Sequence, residues 1–454
     1  MVRNIKVAAA VASVLASGAA MAKVQPTPAQ AAAPTVGLYV SGSSAAKNAI
    51  LGALETSSKF CNGTYSLFSS TGDTNFFAVS CAPLAATGLP SANGSNVFTI
   101  WYRDEGGSVV GALPLVSGSQ INQLSLAGAT GSAGSYTVAV GGASATNGID
   151  DSFTGGVFKA PVQMGITDEE PAAYTGNNYP SAYKTSVYGH ATAAQLGNLT
   201  QTPTFDLVYG VLVNTNSSAF SAAEKSGQGT ATASLSLGRQ TIGAILQANQ
   251  INWNDVPDSS GNAVTSASLP ITIVNREQGA GVRVASDIFF TGDHCTTPVQ
   301  TAIAESTGGT ADYFSMGDLL AAANTIPGAI TYATIDYAGS SSYPNLTLVA
   351  VDGLQPTALN AAAGIYGNWF ESEAVTGSNY SSLRAAQQGL IQGLITAFQT
   401  QATVPGATSV LANPNYNTPS YPVSGTAVTV SGATIYVNPY SRLGNSCNDP
   451  LPFL

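Results

Sequence analysis

The segment Ile271–Phe290 places an arginine and a glycine-rich turn between a strand pattern and a helix pattern. Its first four residues predict a buried strand, and Arg276 follows almost at once. A helix N-terminus attracts anions because its first N–H groups lack intrahelical partners and its dipole end is positive. Gly279 and Gly281 let the backbone approach a ligand, and the planar Arg276 guanidinium can bind an oxyanion through two hydrogen bonds. The segment predicts an anion site, although the pattern also fits an ordinary turn with a surface arginine.

Three other strand patterns end in loops of similar chemistry. The loops are Ser41–Ser44, Gly106–Ser108 and Thr167–Glu169, and they follow strands predicted at 36–40, 96–102 and 162–167. In α/β folds, ligands bind beyond the carboxyl ends of strands, so the four loops are candidates for one shared site. Taken singly, Asp168 also fits a helix N-cap and Ser108 also fits a turn serine.

Strand patterns alternate with helix patterns along most of the chain, which predicts an α/β fold with mainly parallel sheets and added β-hairpins. Further strands are predicted at 205–213, 330–337 and 347–351, a helix at 381–401, and hairpins within 61–81 and 426–437. A Gly/Ser/Ala-rich stretch at 117–147 is interpreted as an inserted hairpin or a surface excursion. At 454 residues, two domains or lobes are expected.

The N-terminal residues 1–22 have the pattern of a cleavable secretory signal. Arg3 and Lys6 precede the apolar run Val7–Ala20, and the small-residue site Ala20–Ala22 predicts cleavage after Ala22. The run is shorter than a bilayer span, and no later stretch is long and apolar enough to insert. We therefore expect an exported protein, periplasmic or extracellular, without membrane insertion.

The chain has four cysteines, which in an exported protein indicates disulfides. Four cysteines allow three pairings. We expect a local bridge, Cys61–Cys81, and a long-range bridge, Cys295–Cys447. No CxxC pair is present, which argues against a metal site.

Charged residues are 8% of the chain, Lys and Arg together number 14, and the formal net charge is −10. No basic cluster exists, so nucleic acid is a poor candidate partner. An acidic protein can still bind an anion, because local dipoles and one arginine outweigh distant, screened charges. No GxSxG, HExxH or P-loop pattern occurs, so we expect neither an enzyme nor a bound cofactor.

The four loops lie within the sequences SGSSAAKN (41–48), EGGSVVG (105–111), MGITDEEPA (164–172) and REQGAGVR (276–283). In this order along the chain, they resemble the loops of the phosphate-binding proteins of ABC-type phosphate importers. Three other stretches are similar to that family: LGRQTIGAILQANQINWNDV (237–256), GAITYATIDYA (328–338) and ALNAAAGIYG (358–367). The match covers most of residues 35–400. It implies a two-lobed, periplasmic-binding-protein-like (type II) fold.

The resemblance also implies a ligand set and a role. Asp168 would accept a hydrogen bond from a protonated oxyanion and so favour hydrogen phosphate over sulfate. The other implied ligands are the hydroxyls of Ser43 or Ser44 and Ser108, the N–H groups of Ser44, Ala45 and Ala46, the Arg276 guanidinium, and the N–H groups of Gly279, Ala280, Gly281 and Val282. An ABC permease is the implied partner.

Lobe I would comprise residues 35–207 plus 336–454, and lobe II residues 208–335. Two crossings, near Tyr209–Val213 and Ile330–Tyr337, would form the hinge. Closure would then trap the anion between Arg276 on one lobe and the remaining loops on the other.

The loops also depart from the family. Ala280 and Val282 stand where the family carries hydroxyls, and Ala46–Lys47 stands in place of a Thr–Phe pair. Each lost hydrogen bond to a charged group is worth roughly 1.5–3 kcal/mol. The sequence therefore leaves open weaker phosphate binding, another oxyanion, or an extracellular structural or adhesive protein whose scaffold has weakened or lost ligand binding. A secreted phosphate-ester hydrolase is a third alternative.

Overall fold

The computed structural model describes residues 25–55, 61–73, 75–83, 97–142, 152–180, 182–293, 295, 301–399, 410–412, 427–430 and 433–452. The signal sequence predicted at 1–22 lies outside these residues.

The strands are β1 Val36–Gly42, β2 Cys61–Thr71, β3 Phe76–Pro83, β4 Phe98–Arg103, β5 Gln120–Leu124, β6 Thr130–Ser132, β7 Ser135–Ala139, β8 Val157–Pro161, β9 Met164–Thr167, β10 Thr200–Asn214, β11 Leu235–Leu237, β12 Thr272–Ile273, β13 Ala329–Thr334, β14 Leu346–Val351, β15 Trp369–Thr376, β16 Val410–Ala412, β17 Ala427–Val430, β18 Ala433–Val437, β19 Tyr440–Ser441 and β20 Leu451–Pro452. The α-helices are α1 Pro28–Ala32, α2 Lys47–Glu55, α3 Leu113–Ser117, α4 Ala182–Tyr188, α5 Ala193–Gly197, α6 Ala222–Lys225, α7 Arg239–Leu246, α8 Gly281–Ser286, α9 Met316–Thr325, α10 Ala358–Ala362 and α11 Ala385–Phe398. A π-helical turn, Asp287–Thr291, continues α8 directly.

Three parallel strands, β9, β1 and β4, form the part of the sheet that matters most for the site. β1 pairs with β4 over Val36–Ser41 and with β9 over Val40–Gly42. β4 and β9 are buried at every position, as expected for parallel strands covered on both faces. Because parallel strands end at the same sheet edge, the loops after β1, β4 and β9 all leave from one edge.

The long strand β10 links two groups of strands. Its first part, Thr200–Val208, pairs antiparallel with β15 and β16, in the sheet that also holds β9, β1 and β4. Its second part, Tyr209–Asn214, pairs antiparallel with β13 and β14, which in turn carry β12 and β11 in parallel. The fold is α/β with two groups of strands, consistent with a two-lobed arrangement. The expectation of mainly parallel sheets holds around β1 and fails around β10.

The division into lobes at 207/208 and 335/336 stays a prediction. The first limit falls near the point where β10 changes partners, between Val208 and Tyr209. β14 pairs with the second part of β10, although the predicted limit assigns it to lobe I. This pairing favours a return crossing after Val351 rather than at residue 335.

Several sequence-predicted elements are confirmed. β2 and β3 form the predicted antiparallel hairpin, and β17 and β18 form the one near the C-terminus. The Gly/Ser-rich stretch contains the hairpin of β6 and β7. In α11, Leu390, Ile391, Leu394 and Phe398 are buried on one face, as the helical period predicted.

The structure contains both expected disulfides, Cys61–Cys81 and Cys295–Cys447. The first joins β2 to β3, and the second joins the C-terminal segment to the region just after α8. Within the described ranges, no helix is both long enough and apolar enough to cross a bilayer.

Candidate functional site

The loops after β1 and β9 are packed together at the sheet edge. A Cβ added to Gly42 would lie 1.8 Å from the carbonyl oxygen of Ile166, and one added to Gly111 would lie 2.6 Å from the same oxygen. The N–H of Ser43 donates to this oxygen at 2.9 Å. Glycine is thus required where the turn after β4 and the end of β1 both approach β9.

The Asp168 carboxylate lies where the loops meet. Its Oδ1 accepts a hydrogen bond from the Ser43 hydroxyl. A Cβ built on Gly281, the first residue of α8, would lie 2.2 Å from Asp168 Oδ2 and 2.4 Å from Ser108 Oγ. The loop before α8 therefore meets the other three loops at this carboxylate, as the sequence predicted.

Ser108 brings a buried hydroxyl to the same point. It follows Gly106 and Gly107, whose positive φ values of 85° and 79° turn the chain sharply after β4. Ser108 is fully buried, and its hydroxyl has no hydrogen-bond partner of normal geometry among the described residues. A buried donor without a partner is costly, so a hydroxyl left in this state is a candidate for ligand contact.

The start of α8 faces Asp168. Gly279, at φ 80°, turns the chain into the helix, and its carbonyl accepts a hydrogen bond from the N–H of Val109 at 3.1 Å. Ala280 is the N-cap residue and has no polar side chain that could cap the helix. The N–H groups of Gly281 and Val282 therefore begin the helix with its positive dipole end beside the Asp168 carboxylate.

Arg276 is buried and held in place by backbone carbonyls. Its Nε donates to the carbonyl oxygen of Tyr313 at 3.0 Å and its Nη2 to that of Phe314 at 2.5 Å. Its Nη1 lies 3.5 Å from the Ser44 hydroxyl. The guanidinium is thus fixed with one nitrogen directed toward the loop after β1.

Arg283, in the first turn of α8, holds the backbone of Arg276 through a hydrogen bond. Its Nη1 donates to the Arg276 carbonyl at 2.9 Å and forms an ion pair with Asp312 at 3.0 Å, while Nη2 pairs with Glu305 at 3.0 Å. This network fixes the backbone of the Arg276 loop relative to its own helix.

Burial raises the pKa of Asp168 to about 6, and the hydroxyls of Ser43 and Ser108 and the charge of Arg276 limit the rise. Burial also raises the pKa of Glu169 well above its usual range, and the charges of Asp168 and Glu170 raise it further. At neutral pH, Asp168 is therefore mostly ionised. The site holds a carboxylate acceptor next to donors from the helix, from Ser108 and from Arg276.

Lys184, in α4, is a buried cation next to the site that the sequence did not indicate. Its Nζ is buried, donates to the carbonyl of Gln278 at 2.6 Å and lies 3.4 Å from the Glu277 carboxylate. Burial lowers its pKa to about 8, and the Glu277 charge opposes that decrease. Nothing in its local pattern marks this lysine, because its role depends on where α4 packs in three dimensions.

The remaining predicted ligands lie close by. Ala45, Ala46, Ala280 and Val282 are buried, and the Ala46 N–H donates to the Ser43 hydroxyl at 2.9 Å. The Ser43 hydroxyl and the Ala46 N–H are thus engaged within the protein, and their role toward a ligand stays a prediction. Lys47 forms an ion pair with Asp104 at 3.0 Å. The described part of the chain contains no cluster of three His, Cys, Asp or Glu side chains that could hold a metal.

No protein-family model matches the chain, and no curated protein sequence is similar to it. The solved structures that are similar to this chain include phosphate-binding proteins. A phosphate ABC transporter substrate-binding protein from Clostridium perfringens, solved with bound phosphate, has 13% identity and a TM-score of 0.44, covering 83% of this chain and 99% of its own.

Two further structures have a TM-score of 0.38 and 13% identity. An ABC-type phosphate transport receptor from Vibrio cholerae covers 79% of this chain and 93% of its own. A phosphate-binding protein from Stenotrophomonas maltophilia covers 92% of this chain and 91% of its own. Values this low carry no inference about the ligand of this chain, which must be argued from its own residues.

Proposed function

We propose that this protein binds a small, protonated oxyanion, with hydrogen phosphate as the leading candidate, between Asp168 and the N-terminus of α8. The observation that carries the proposal is the convergence of Asp168, the buried Ser108 hydroxyl and the start of α8 at one point. Arg276, whose Nη1 lies 3.5 Å from the Ser44 hydroxyl and whose charge lowers the pKa of Asp168, supplies the permanent positive charge. An ABC permease is the partner that such a role implies, and the two disulfides support a periplasmic or extracellular location.

The combination of groups favours one protonation state of the ligand. The helix N-terminus, the Ser108 hydroxyl and the guanidinium donate hydrogen bonds and so attract negative charge. An ionised Asp168 can only accept a hydrogen bond, which a ligand O–H supplies and a fully ionised oxyanion does not. Hydrogen phosphate satisfies both requirements, whereas sulfate at neutral pH leaves two acceptors facing each other.

Binding requires that α8 move away from Asp168. Each hydrogen bond to an anion spans about 2.8 Å, and the close contact of Gly281 with Asp168 and Ser108 leaves no such space. We therefore infer that the ligand enters when the two strand groups separate, with β10 as the connection that both share.

Calorimetric titration with phosphate at pH 8 tests the proposal. The unaltered protein is expected to bind one phosphate, and Ser108→Ala to bind it about tenfold more weakly, because a hydrogen bond to a charged ligand is lost. Ser108→Ala also removes a hydroxyl that lowers the pKa of the buried Asp168 carboxylate, so its free energy of unfolding is measured alongside the titration.

Ser41→Ala is the matched control, because Ser41 is a buried serine at the same sheet edge whose hydroxyl donates to the Val110 carbonyl. It is expected to keep the phosphate affinity. The absence of binding heat in the unaltered protein contradicts the proposal.

A second candidate function is an exported structural or adhesive protein on the same scaffold. The close packing of Asp168 against Gly281 favours it, because the carboxylate itself then serves as the anion at the start of α8. In that case, titrations with phosphate and with sulfate both give no binding heat. Asp168→Ala then destabilises the fold, because it removes the negative charge at the helix N-terminus.

A further inference from the structure

The C-terminal segment Ser441–Asn448 is hydrogen-bonded to the loop that carries Asp168. The backbone N–H of Ser446 donates to Glu170 at 2.9 Å, and the Ser446 hydroxyl donates to the same carboxylate oxygen. Glu170 lies two residues after Asp168. The segment is therefore tied to the loop that carries the central carboxylate of the site.

The next residue, Cys447, is joined by a disulfide to Cys295. Cys295 follows the π-helical turn that continues α8, and its N–H donates to the carbonyls of Gly292 and Asp293. From Gly281 to Thr291 the helix is roughly 15 Å long. The disulfide thus attaches the far end of the helix whose near end contacts Asp168.

Other bonds hold the segment firmly on the first strand group. Glu371 of β15 accepts from the Ser441 hydroxyl at 2.5 Å and from the Gly444 N–H at 2.9 Å. Arg442 is buried, and its guanidinium donates to the carbonyls of Asn448 at 2.6 Å and of Gly367 at 3.1 Å. The segment is therefore bonded to β15 and to the Asp168 loop as well as to the region after α8, so its position does not depend on α8 alone.

We propose that the segment Ser441–Asn448 positions α8, through the Cys295–Cys447 disulfide and the Ser446–Glu170 hydrogen bonds, and so controls how far the start of α8 separates from Asp168. As a description of anion entry this rests on the proposed function. The three residues Asp168–Glu170 hold both ends of the same helix, one end by direct contact and the other through Ser446, Cys447 and Cys295. Opening then requires α8 to pivot about its disulfide-linked end.

The double variant Cys295→Ser/Cys447→Ser tests this positioning role, and Cys61→Ser/Cys81→Ser is the control. The control removes the other disulfide, which joins neighbouring strands of a hairpin. Two quantities are measured: the rate of phosphate release in a rapid-mixing experiment, and amide hydrogen exchange over residues 279–291. The first variant is expected to release phosphate about tenfold faster and to exchange faster over 279–291, whereas the control changes neither quantity.

A second variant, Ser446→Ala, keeps both disulfides and removes one hydrogen bond to Glu170. It is expected to raise exchange over 279–291 in the same direction but by less. Unchanged exchange over 279–291 in both Cys295→Ser/Cys447→Ser and Ser446→Ala overturns the proposal. If neither the unaltered protein nor any variant binds phosphate, the proposed function fails. The hydrogen-exchange measurement still decides the positioning role by itself.

Discussion

At the scale of single residues, Asp168 is the group that sets ligand selectivity in the proposed site. Its carboxylate is buried, and its pKa is raised to about 6 by that burial. Above this pH the side chain only accepts hydrogen bonds, and below it the protonated side chain also donates. The preference for a protonated oxyanion should therefore depend on pH.

We predict that sulfate binds about tenfold more tightly at pH 5 than at pH 7, because the protonated fraction of a group with a pKa near 6 rises by that factor. Asp168→Asn should remove the pH dependence and bind sulfate at both values, since the amide donates at any pH. Calorimetric titration with sulfate measures this. The control is Asp255→Asn, which makes the same charge change on an exposed side chain. Equal sulfate affinity at pH 5 and pH 7 in the unaltered protein argues against the assigned role of Asp168.

At the scale of elements, the contact of α4 with the loop before α8 joins the two strand groups next to the site. Lys184 of α4 is fully buried, and Glu277 is 8% exposed. Breaking a buried ion pair on one side leaves an uncompensated charge, whereas removing both charges costs much less. Lys184 should therefore contribute through Glu277 and the Gln278 carbonyl and not through packing alone.

Lys184→Met is predicted to lower the free energy of unfolding by roughly 3 kcal/mol. Adding Glu277→Gln should recover a large part of that loss, because the charge that Lys184 compensated is then removed as well. Urea unfolding of the two single variants and the double variant measures the coupling. If Lys184→Met costs the same in the unaltered protein as in the Glu277→Gln variant, the ion pair does not stabilise this contact.

The sequence predicted the strand-end loops better than it predicted the strands behind them. β1, β4, β9 and β10 were anticipated because they are continuous apolar runs. β15 was missed, although it is buried along its whole length and pairs with both β9 and β10. Its centre, Glu371–Glu373, is polar, and such a run gives no apolar signal even when the fold buries it.

The sequence indicated which loops form the site, but not how their residues contact one another. Asp168, Ser108, Arg276 and Gly281 were named from the sequence, and the structure brings them together. The direct packing of Gly281 on Asp168 and the contribution of Lys184 depend on how α4 and α8 pack, which no local pattern encodes. Apolar side chains in place of hydroxyls at positions 280 and 282 are consistent with this packing, because Ala280 and Val282 are both buried.

At the scale of the whole molecule, net charge says little about the site. The chain carries a formal charge of −10, yet the buried cations Lys184, Arg276 and Arg283 are gathered around the start of α8. Glu277 pairs with Lys184, and Glu305 and Asp312 pair with Arg283, so cations and carboxylates together form one charged region that the net charge of the chain does not reveal. The two strand groups that share β10 supply opposite sides of that region.

The most direct test of the central claim, that four strand-end loops form one oxyanion site, is a crystal structure of the protein grown with phosphate at pH 8 and without sulfate. We predict phosphate between the Asp168 carboxylate and the first N–H groups of α8, within hydrogen-bond distance of Ser108 and Arg276, with Gly281 displaced from Asp168. A structure at saturating phosphate in which Gly281 still packs against Asp168, and in which phosphate is absent from this position, contradicts the account.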